Sequence, residues 1–485
     1  MWLPRGAHVH LIAICGTAMG SLAGMLRQRG YRVTGSDSHV YPPMSTLLAE
    51  MGVEVQEGFA AEHVGTPDLV VVGNAVSRGN PEVEAVLDRR LPYASLPEVL
   101  REGFLRGKRP IVVTGTHGKT TTTALAGHLL TQGGMDPSFL VAGVPRDYPR
   151  SFRLGGGDAF VIEGDEYDSA FFWKIAKFFF YLPEVLVINN IEFDHADIYA
   201  DLEEIKRAFR QVINIVPRTG LVLANAEDPV VADLLPGSFA PVQTFGLGEA
   251  SCWRAVDLVP SPAGMAFRLL RQGQEVGSFS VPLHGEYNVR NALAAVAAAV
   301  HAGLPVERVA EGLRTFGGVK RRQETVGVAG GVTLIDDFAH HPTAVQQTLQ
   351  ALRAAHPGAT FWAVFEPASA TNARAVFEAR YVEAFAAAER FIIGQVPRPE
   401  RARRDAPFSP ERLVATMEQQ GRQALYLPEP GQIVEHLARQ TQPGDVVVFM
   451  SNGAFGDVQR RLLAALQERA ADRNPPAGCC PPHRR

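Results

Sequence analysis

Short runs of β-branched and aliphatic residues recur along the chain, and many of them end in Gly, Asp, Asn or another polar residue. The runs are VHLIAI, LVVVG, IVVTG, FVIEGD, VLVINN, LVLAN, VTLIDD, FWAVFE, FIIG and VVVFMSNG. Between many of them lie alanine- and leucine-rich segments of helical period, such as NALAAVAAAVHAG and PTAVQQTLQALRAAH. This alternation predicts βαβ units and therefore an α/β fold with parallel sheets.

The length of the chain, 485 residues, favours about three domains, because a single hydrophobic core rarely serves so many residues. Polar connectors that contain glycine precede the strand-like runs IVVTG and VTLIDD. We therefore divide the chain into residues 1–107, 108–318 and 319–470. The remaining stretch, residues 471–485, is rich in Pro, Gly and Arg, and we expect it to be disordered.

Composition narrows the possible functions. Charged residues make up 20% of the chain and the formal net charge is −4, so there is no sign of a basic surface for nucleic acid. No apolar run reaches the roughly 18 residues of a membrane helix, and the N-terminus lacks the layout of a secretion signal. We expect a cytoplasmic protein without membrane insertion. The four cysteines show no metal spacing and no disulfide framework, and the sequence gives no oligomeric state.

The stretch IVVTGTHGKTTTTALAGHLL predicts a strand, a tight glycine turn and a helix. In such a turn Gly115 and Gly118 let backbone amides face a polyphosphate, Lys119 supplies a compact positive charge, and the next threonines offer a hydroxyl to Mg2+. The full P-loop pattern has glycine at the position of Val113. The alternative is a plain turn between a strand and a helix.

Two successive strand-like runs end in oxygen- and nitrogen-rich clusters. The first cluster contains Glu163, Asp165, Glu166 and Asp168. The second contains Asn189, Asn190, Glu192, Asp194, His195 and Asp197. Carboxylates at such close spacing repel one another unless cations or basic partners compensate, so a Mg2+ site is a reasonable hypothesis. A solvated acidic turn is the alternative for the first cluster, but two such clusters at successive strand ends favour a metal–phosphate centre.

The N-terminal stretch HLIAICGTAMGSLAGMLRQRGYRVTGSD has the layout of a Rossmann first turn. It departs from the G-x-G-x-x-G pattern at Cys15 and Thr17, so it is a weak dinucleotide fingerprint. The turn is still able to present amides to a diphosphate, with Asp37 or Ser36 near a ribose. A purely structural turn is the alternative.

Three further groups of polar residues have both a structural and a functional interpretation. Asn288 and Asn291 precede an apolar helix, which they could cap, or they could contact a base edge. The connector VKRRQE is either a solvated basic turn or a group that closes over a transferring phosphoryl group. The stretch IDDFAHHPTA lacks the spacing of a zinc site.

Taken in order, five stretches resemble the motifs of the Mur ligase family of peptidoglycan biosynthesis. They are TGTHGKTTT, EGDEYDS, NNIEFDH, NVRNALAA and DDFAHHPT. The resemblance extends over residues 7–470, and in this family the shortened phosphate loop is normal. It implies three domains: an N-terminal Rossmann-like domain for a UDP-sugar, a central P-loop ATPase-type domain with a mostly parallel sheet, and a C-terminal Rossmann-like domain for a peptide.

Within the family, ICGTAMGSLA, GSDSHVYPPMSTLL, EGDEYDSAFF, IEFDHADIY and VKRRQE are most similar to the members that recycle murein peptides. This similarity implies a ligase that joins UDP-N-acetylmuramate to the tripeptide L-Ala-γ-D-Glu-meso-diaminopimelate, with ATP going to ADP and phosphate. In the family's mechanism the carboxylate attacks the γ-phosphate to form an acyl phosphate, which the peptide amine then attacks. The alternatives are a UDP-N-acetylmuramate–L-alanine ligase and a non-ligating ATP-binding regulatory relative.

The resemblance also implies roles for individual residues. The expected catalytic residues are Lys119, His117, His195, Arg321 and Arg322. ATP is expected to contact Gly115, Thr116, His117, Gly118, Lys119, Thr120, Thr121, Asn288, Asn291 and Asp336. The expected Mg2+ ligands are Thr120, Glu166 and His195. The UDP part is expected to contact Gly16, Thr17, Ala18, Met19, Gly20, Ser36, Asp37 and Asn74.

Two positions depart from the family pattern. The stretch EPASAT has Ala368 in place of an arginine, and the loss of a guanidinium removes a bidentate partner for a peptide carboxylate. Trp173 stands where a polar residue is more usual. Some relatives carry a carbamylated lysine beside the metal, and Lys206 is a candidate for that role. Whether the third peptide residue is diaminopimelate or lysine stays open.

Overall fold

The computed structural model describes residues 3–41, 44–195, 198–368, 375–396 and 408–473. By the contacts between its residues the chain divides into two compact units. Unit 1 consists of Met1–Val259, Met265–Pro282 and Tyr287–Val319. Unit 2 consists of Pro260–Gly264, Leu283–Glu286 and Lys320–Arg485.

The first sheet of unit 1 is parallel and five-stranded. Its strands are β1 (His8–Ile12), β2 (Arg32–Asp37), β3 (Glu54–Glu57), β4 (Leu69–Val72) and β5 (Tyr93–Ser95). Its helices are α1 (Thr17–Gln28), α2 (Met44–Glu50), α3 (Pro81–Asp88) and α4 (Leu96–Leu100). The strand order β3-β2-β1-β4-β5 is the doubly wound order of a Rossmann-like half, so the turn after β1 lies at the switch point.

The second sheet of unit 1 has ten strands and is mostly parallel. Its strands are β6 (Arg109–Thr114), β7 (Ser138–Leu140), β8 (Phe152–Arg153), β9 (Ala159–Glu163), β12 (Val185–Ile188), β13 (Leu221–Asn225), β14 (Val242–Gly246), β15 (Trp253–Ser261), β16 (Gly264–Arg271) and β17 (Gln274–Val281). A separate antiparallel hairpin is formed by β10 (Asp168–Ala170) and β11 (Trp173–Ala176). The helices are α5 (Lys119–Gln132), α6 (Leu202–Asn214), α7 (Pro229–Leu234), α8 (Glu286–His301) and α9 (Val309–Thr315).

The strand order of this second sheet positions the candidate site. It runs β17-β16-β15-β14-β13-β12-β6-β9-β7-β8, and β6 pairs in parallel with both β12 and β9. These three strands are almost entirely buried, which explains their continuous apolar runs. Because they are parallel neighbours, their carboxyl ends and the polar residues that follow them meet at one edge of the sheet.

Unit 2 contains a six-stranded sheet. Its strands are β18 (Glu324–Ala329), β19 (Val332–Asp337), β20 (Phe361–Glu366), β21 (Arg390–Ile393), β22 (Gln423–Tyr426) and β23 (Val446–Ser451). Its helices are α10 (Pro342–Ala355), α11 (Glu378–Ala384), α12 (Pro410–Gln419), α13 (Pro430–Gln440) and α14 (Val458–Arg473). The order is β18-β19-β23-β20-β21-β22, in which only the β18–β19 pair is antiparallel.

The predicted α/β class, with mostly parallel sheets, is confirmed, and every one of the apolar runs contains a strand. The long strands from β15 to β17 were not predicted, because their alternating burial leaves no continuous apolar run. In unit 1 a single core cluster includes Leu11 and Leu26 of the first sheet and its helix, and Val112 and Ile188 of the second. Among the described residues, no helix is both long enough and apolar enough to cross a membrane.

Two local predictions need correction or limits. Asn288 and Asn291 do not precede the apolar helix but lie inside α8, which begins at Glu286, so neither caps it. The last helix continues to Arg473, which makes the first residues of the predicted tail helical. Residues 474–485 lie outside the described part of the chain.

Candidate functional site

The loop between β6 and α5 has the conformation expected of a phosphate cradle. Gly118 precedes α5 with φ at +80° and Gly115 has φ at +124°, a region that favours glycine. A Cβ on Gly115 would lie 2.9 Å from the carbonyl oxygen of Asn190, so any larger residue would displace the backbone. The first backbone amides of α5 thus follow a loop that has glycine at both of its left-handed positions. Such an arrangement suits the binding of a polyphosphate.

Lys119 begins α5 and points into the carboxylates that follow β9. Its Nζ lies 2.7 Å from Oε2 of Glu166 and 3.9 Å from Oδ1 of Asp165. A second cation, Lys177, lies 2.7 Å from Oδ2 of Asp165. Because Lys177 follows β11, the β10–β11 hairpin brings its amine back to the start of the acidic stretch.

The charges of this group hold one another in place. Burial alone would lower the pKa of Lys119, but the charges of Glu166 and Asp165 outweigh it and raise that pKa. Burial would raise the pKa of Asp165 and of Glu166, but Lys177 and Lys119 lower the first and Lys119 and His195 lower the second. Lys119 therefore stays protonated and the two carboxyl groups stay ionised at neutral pH. The carboxylates can attract a cation, and the ammonium can attract a phosphate.

His195 joins the carboxylates from the end of β12. Its Nε2 lies 3.2 Å from Oε1 of Glu166. Burial would lower its pKa, but the hydrogen bond to Glu166 and the charge of Asp194 raise the pKa of His195 to about 9. Its backbone is left-handed, with φ at +52°, and the hydroxyl of Tyr199 donates to the carbonyl oxygen of Glu166 at 2.7 Å. The amides of Ile198 and Tyr199 donate to the carbonyl oxygen of His195, at 2.9 and 3.0 Å, and this turn holds the imidazole beside the carboxylate.

The geometry divides the predicted Mg2+ ligands into two groups. Asp165, Glu166 and His195 offer one ligand atom each, and these atoms lie within 4.8 Å of one another. The hydroxyl of Thr120 instead donates to Oε1 of Glu163 at 3.0 Å. Two carboxylates with one imidazole are a donor set that accepts a divalent cation, provided that the cation displaces the proton held on His195. Glu163 and Asp165 belong to the carboxylate cluster for which the sequence already suggested a Mg2+ site, although the family resemblance named only Glu166 of that cluster as a ligand.

His117 and Thr116 lie on the other side of the loop, beside the residues that follow β12. The amide of His117 donates to Oδ1 of Asn190 at 2.7 Å, and its Nε2 lies 3.7 Å from Oε1 of Glu192. The amide of Thr116 donates to the carbonyl oxygen of Asn190 at 3.0 Å. These contacts fasten the loop to the end of β12.

Two asparagines of α8 and one that directly follows β12 lie beside the same loop. Nδ2 of Asn291 donates to Oδ1 of Asn288 at 3.1 Å, and a Cβ on Gly118 would collide with the side chain of Asn291. Asn189 donates from Nδ2 to the hydroxyl of Thr122 at 3.2 Å. The structure therefore brings Asn291 next to the phosphate loop. Contact of either α8 asparagine with adenine stays a prediction.

The predicted UDP site is the turn that opens α1. Gly16, Thr17 and Ala18 are exposed at the start of the helix, whereas Met19 and Gly20 are buried against the domain core. The first three residues are therefore available to a ligand, and the last two are not exposed.

The other residues predicted for UDP lie at strand ends near this turn. Asp37 accepts from the amides of Cys15, at 2.9 Å, and His39, at 3.0 Å. Ser36 is fully buried and its hydroxyl donates to Oε2 of Glu82 at 2.5 Å, so it faces α3. Oδ1 of Asn74 is buried and has no hydrogen-bond partner among the described residues.

The predicted cations of unit 2 form a cluster at the end of β19. Arg321 places Nε 3.3 Å from Oδ2 of Asp336 and donates from Nη2 to the carbonyl oxygen of Ser451 at 2.7 Å. The guanidinium groups of Arg321 and Arg322 lie 5.5 and 4.5 Å from the ring centre of Phe338. Burial raises the pKa of Asp336, although Arg321 opposes that shift. The predicted roles of these residues in phosphate chemistry stay predictions.

The structure describes the two residues that depart from the family pattern and the lysine that is a candidate for carbamylation. Trp173 is exposed on β11, with its ring 6.4 Å from that of Phe180. Ala368 donates from its amide to the carbonyl oxygen of Glu366 at 3.0 Å. Lys206, on α6, lies 2.9 Å from Oε1 of Glu203 and 3.6 Å from Oδ2 of Asp233. Its contacts do not include the carboxylates around Lys119.

Comparison with known proteins gives matches along most of the chain. Residues 8–106 match the model described as "Mur ligase family, catalytic domain", residues 113–299 match "Mur ligase middle domain", and residues 321–453 match "Mur ligase, glutamate ligase domain".

Relatives and a solved structure agree with these matches. The UDP-N-acetylmuramate–L-alanyl-γ-D-glutamyl-meso-2,6-diaminoheptandioate ligase of Escherichia coli is 40% identical over 464 residues, which are 95% of this chain and 99% of the relative. The UDP-N-acetylmuramate–L-alanine ligase of Salinibacter ruber is 37% identical over 470 residues, 96% of each chain. The crystal structure of a murein peptide ligase from Psychrobacter arcticus is 34% identical, has a TM-score of 0.73, and is matched over 95% of this chain and 99% of that one.

Proposed function

The chain belongs to the Mur ligase family, and from that premise we propose that it joins UDP-N-acetylmuramate to the tripeptide L-Ala-γ-D-Glu-meso-diaminopimelate. It is an ATP-dependent ligase. The observation that carries the proposal is the contact of Lys119, which opens the helix after a glycine loop, with Glu166, and of Glu166 with His195. The 40% identity to the E. coli ligase for that tripeptide supports the choice of substrate.

The proposed reaction has two chemical steps. The lactyl carboxylate of UDP-N-acetylmuramate attacks the γ-phosphorus of ATP, and ADP leaves. The α-amine of the peptide then attacks the acyl phosphate, phosphate leaves, and the amine loses its proton. The first step brings two anions together, so it requires fixed positive charge. Lys119 supplies such a charge, and we propose Arg321 and Arg322 as further cations for the phosphate chemistry.

The loop and the carboxylates fit ATP and Mg2+. Gly115 lets the loop pass close to the backbone of Asn190, where a Cβ would lie 2.9 Å from the carbonyl oxygen, and this close approach sets the loop's shape. We propose that Asp165, Glu166 and His195 hold Mg2+, with the Thr120 hydroxyl as a further ligand. Bound there, Mg2+ offsets the negative charge of the phosphates. His117 and Asn190 keep the loop amides in position.

The domains and cellular role follow from the same proposal. Residues 1–107 would bind the UDP-sugar, residues 108–318 ATP, and residues 319–470 the peptide. The reaction belongs to peptidoglycan recycling in the cytoplasm and thereby serves cell-wall formation, cell shape and division. Because Ala368 stands where the family pattern has an arginine, other residues would have to bind the peptide carboxylate. Assays with different amines show whether the tripeptide is still a substrate.

The test measures phosphate release and the new amide product with UDP-N-acetylmuramate, ATP and one amine at a time. Separate assays contain the meso-diaminopimelate tripeptide, the corresponding lysine tripeptide, and L-alanine. We expect product with the first tripeptide and little with L-alanine. Product with L-alanine alone would replace the proposal by the second candidate, which the 37% identity to the S. ruber ligase supports. No product with any amine would identify a non-ligating ATP-binding relative.

A further inference from the structure

Glu82 is a carboxylate at the second position of α3 with no exposed surface. Its helix begins with Asn80 as the cap and Pro81 at the first position, and both suit a helix start. A buried carboxylate is costly unless hydrogen bonds and charges compensate it, and an apolar residue of similar size would pack at lower cost. The position therefore calls for a reason beyond packing.

The partners of Glu82 come from three separate segments. On β1, Nε2 of His10 lies 3.4 Å from Oε2. On β2, the hydroxyl of Ser36 donates to the same oxygen at 2.5 Å. Before α3, the amide of Ala60 donates to Oε1 at 3.3 Å, and Nδ1 of His63 lies 3.3 Å from Oε1 without hydrogen-bond alignment. In the described part of the chain Glu82 has no lysine or arginine partner.

The Ser36 contact links Glu82 to the turn that opens α1. Side chains alternate along a strand, so Ser36 faces α3 while its neighbour Asp37 faces the other side of the sheet. There Asp37 accepts the amide of Cys15, the residue before Gly16, at 2.9 Å. The carbonyl oxygen of Ser36 also accepts the amide of Ile14 at 3.0 Å. The end of β2 thus holds the turn at two points.

We propose that Glu82 is a positioning residue for the UDP-sugar site. Its carboxylate fixes the hydroxyl of Ser36, and this fixes the end of β2 and, through Asp37, the backbone of Cys15 and Gly16. Ser36 then acts from behind the sheet and not as a direct ribose ligand. The inference rests on the proposed function, because it takes the turn before α1 as the nucleotide site.

The experiment compares Glu82→Gln, Ser36→Ala and the double variant, with Asp88→Asn as a control on an exposed position of the same helix. The dissociation constants of UDP-N-acetylmuramate and of ATP are measured by titration calorimetry. We expect each single variant to weaken UDP-sugar binding by about tenfold, the lower end of the effect found for residues that hold metal ligands in place. ATP binding and the control should not change.

The double variant separates positioning from general damage. If Glu82 acts through Ser36, the double variant should bind the UDP-sugar no more weakly than Glu82→Gln alone. The proposal would be overturned by any of three results: the two losses of UDP-sugar affinity multiply in the double variant, the single variants bind the UDP-sugar normally, or ATP affinity falls by the same factor. Because Ser36→Ala removes a single hydroxyl, it tests the inference even if Glu82→Gln does not fold.

A second readout is independent of the ligand. Amide hydrogen exchange of Cys15 and Ile14 should be faster in Ser36→Ala and Glu82→Gln than in the unmodified chain, while the amides around Lys119 should keep their rates. Unchanged exchange at Cys15 and Ile14 would overturn the positioning role. If the unmodified chain binds no UDP-sugar but the exchange responds as expected, the proposed function fails and the structural link stands.

Discussion

Lys119 keeps its charge while buried, because Glu166 and Asp165 outweigh the cost of burial. We expect Lys119→Ala to lower kcat for ligation by about 100- to 1000-fold, the range found when one charge-stabilising group is removed. UDP-N-acetylmuramate should still bind, because its predicted contacts lie on the first sheet and Lys119 follows a strand of the second. Phosphate release and calorimetry measure the two effects.

A matched control for this charge change is available on the surface. Arg268 forms ion pairs with Asp257 and Glu275 on exposed parts of β15 to β17. Arg268→Ala removes one cation and should leave both kcat and UDP-sugar binding as they are. Loss of UDP-sugar binding in Lys119→Ala would contradict the separation of the two nucleotide sites.

Alanine variants at Gly118 and Gly134 separate the effect of backbone strain from the effect of a steric clash. Gly118 and Gly134 have nearly the same φ, +80° and +78°, but a Cβ on Gly118 would meet Asn291 and Asn189, whereas nothing lies within 4 Å of a Cβ on Gly134. Both alanine variants should lose roughly 1–2 kcal/mol of stability from the left-handed conformation. Only Gly118→Ala should raise the KM for ATP, by about tenfold or more, which steady-state kinetics measures. Equal KM values in the two variants would rule out a contact effect.

Among the elements, α5 is fixed at its far end as well as at the loop. His128 of α5 lies 3.5 Å from Oδ2 of Asp147, and that carboxylate also accepts the amide of Gly317 at 2.8 Å. The segment after α9 is thereby tied to the segment before β8. We expect Asp147→Ala to reduce the free energy of unfolding of unit 1 by about 1 kcal/mol, the usual value of one such hydrogen bond.

The control for this element is Asp147→Asn, whose amide oxygen still accepts from Gly317. Denaturant titrations of the three chains should give a lower midpoint for Asp147→Ala and a nearly unchanged midpoint for Asp147→Asn. Equal losses in the two variants would show that the charge beside His128 matters more than the hydrogen bond to Gly317.

The elements also show what the sequence could predict. Strands such as β6, β12 and β13 are buried on both faces, so their apolar runs were visible. The strands β15 to β17 bury only one face, and polar residues interrupt their pattern. The start of α8 was misplaced because Asn288 and Asn291 look like helix caps in sequence, whereas their hydrogen bond to each other is made within the helix.

In the whole molecule, the candidate site follows from sheet order. Lys119, Glu166 and His195 are far apart in sequence, but they follow β6, β9 and β12, which are adjacent parallel strands. The rule that ligands bind at the carboxyl ends of such strands was therefore enough to bring them together. The pairing of Lys177 with Asp165 depends on the β10–β11 hairpin, and the burial of Ser36 depends on α3. No local motif encodes either contact.

A last prediction concerns the acid stability of both units. Among the described residues, burial is the largest cause that lowers the pKa of six histidines. They are His8, His128 and His301 in unit 1, and His284, His356 and His436 in unit 2. Each is neutral in the fold, whereas the unfolded chain takes up a proton below a pH of about 6.5. The stability they contribute is full above that pH and is lost as the pH falls.

The opposite sign applies to His195, because its pKa is raised to about 9: its contribution is full below a pH of about 6.5 and is lost as the pH rises from there to about 9. The temperature midpoint of unfolding should therefore decrease when the pH is lowered from 7.5 to 5.5, by about 2–4 °C for each kcal/mol of stability lost. Differential scanning calorimetry at the two pH values measures this shift. A chain with His301→Gln, His356→Gln and His436→Gln should show a smaller shift. An equal shift in that variant, or a midpoint that rises on acidification, would contradict the assignment of acid sensitivity to buried neutral histidines.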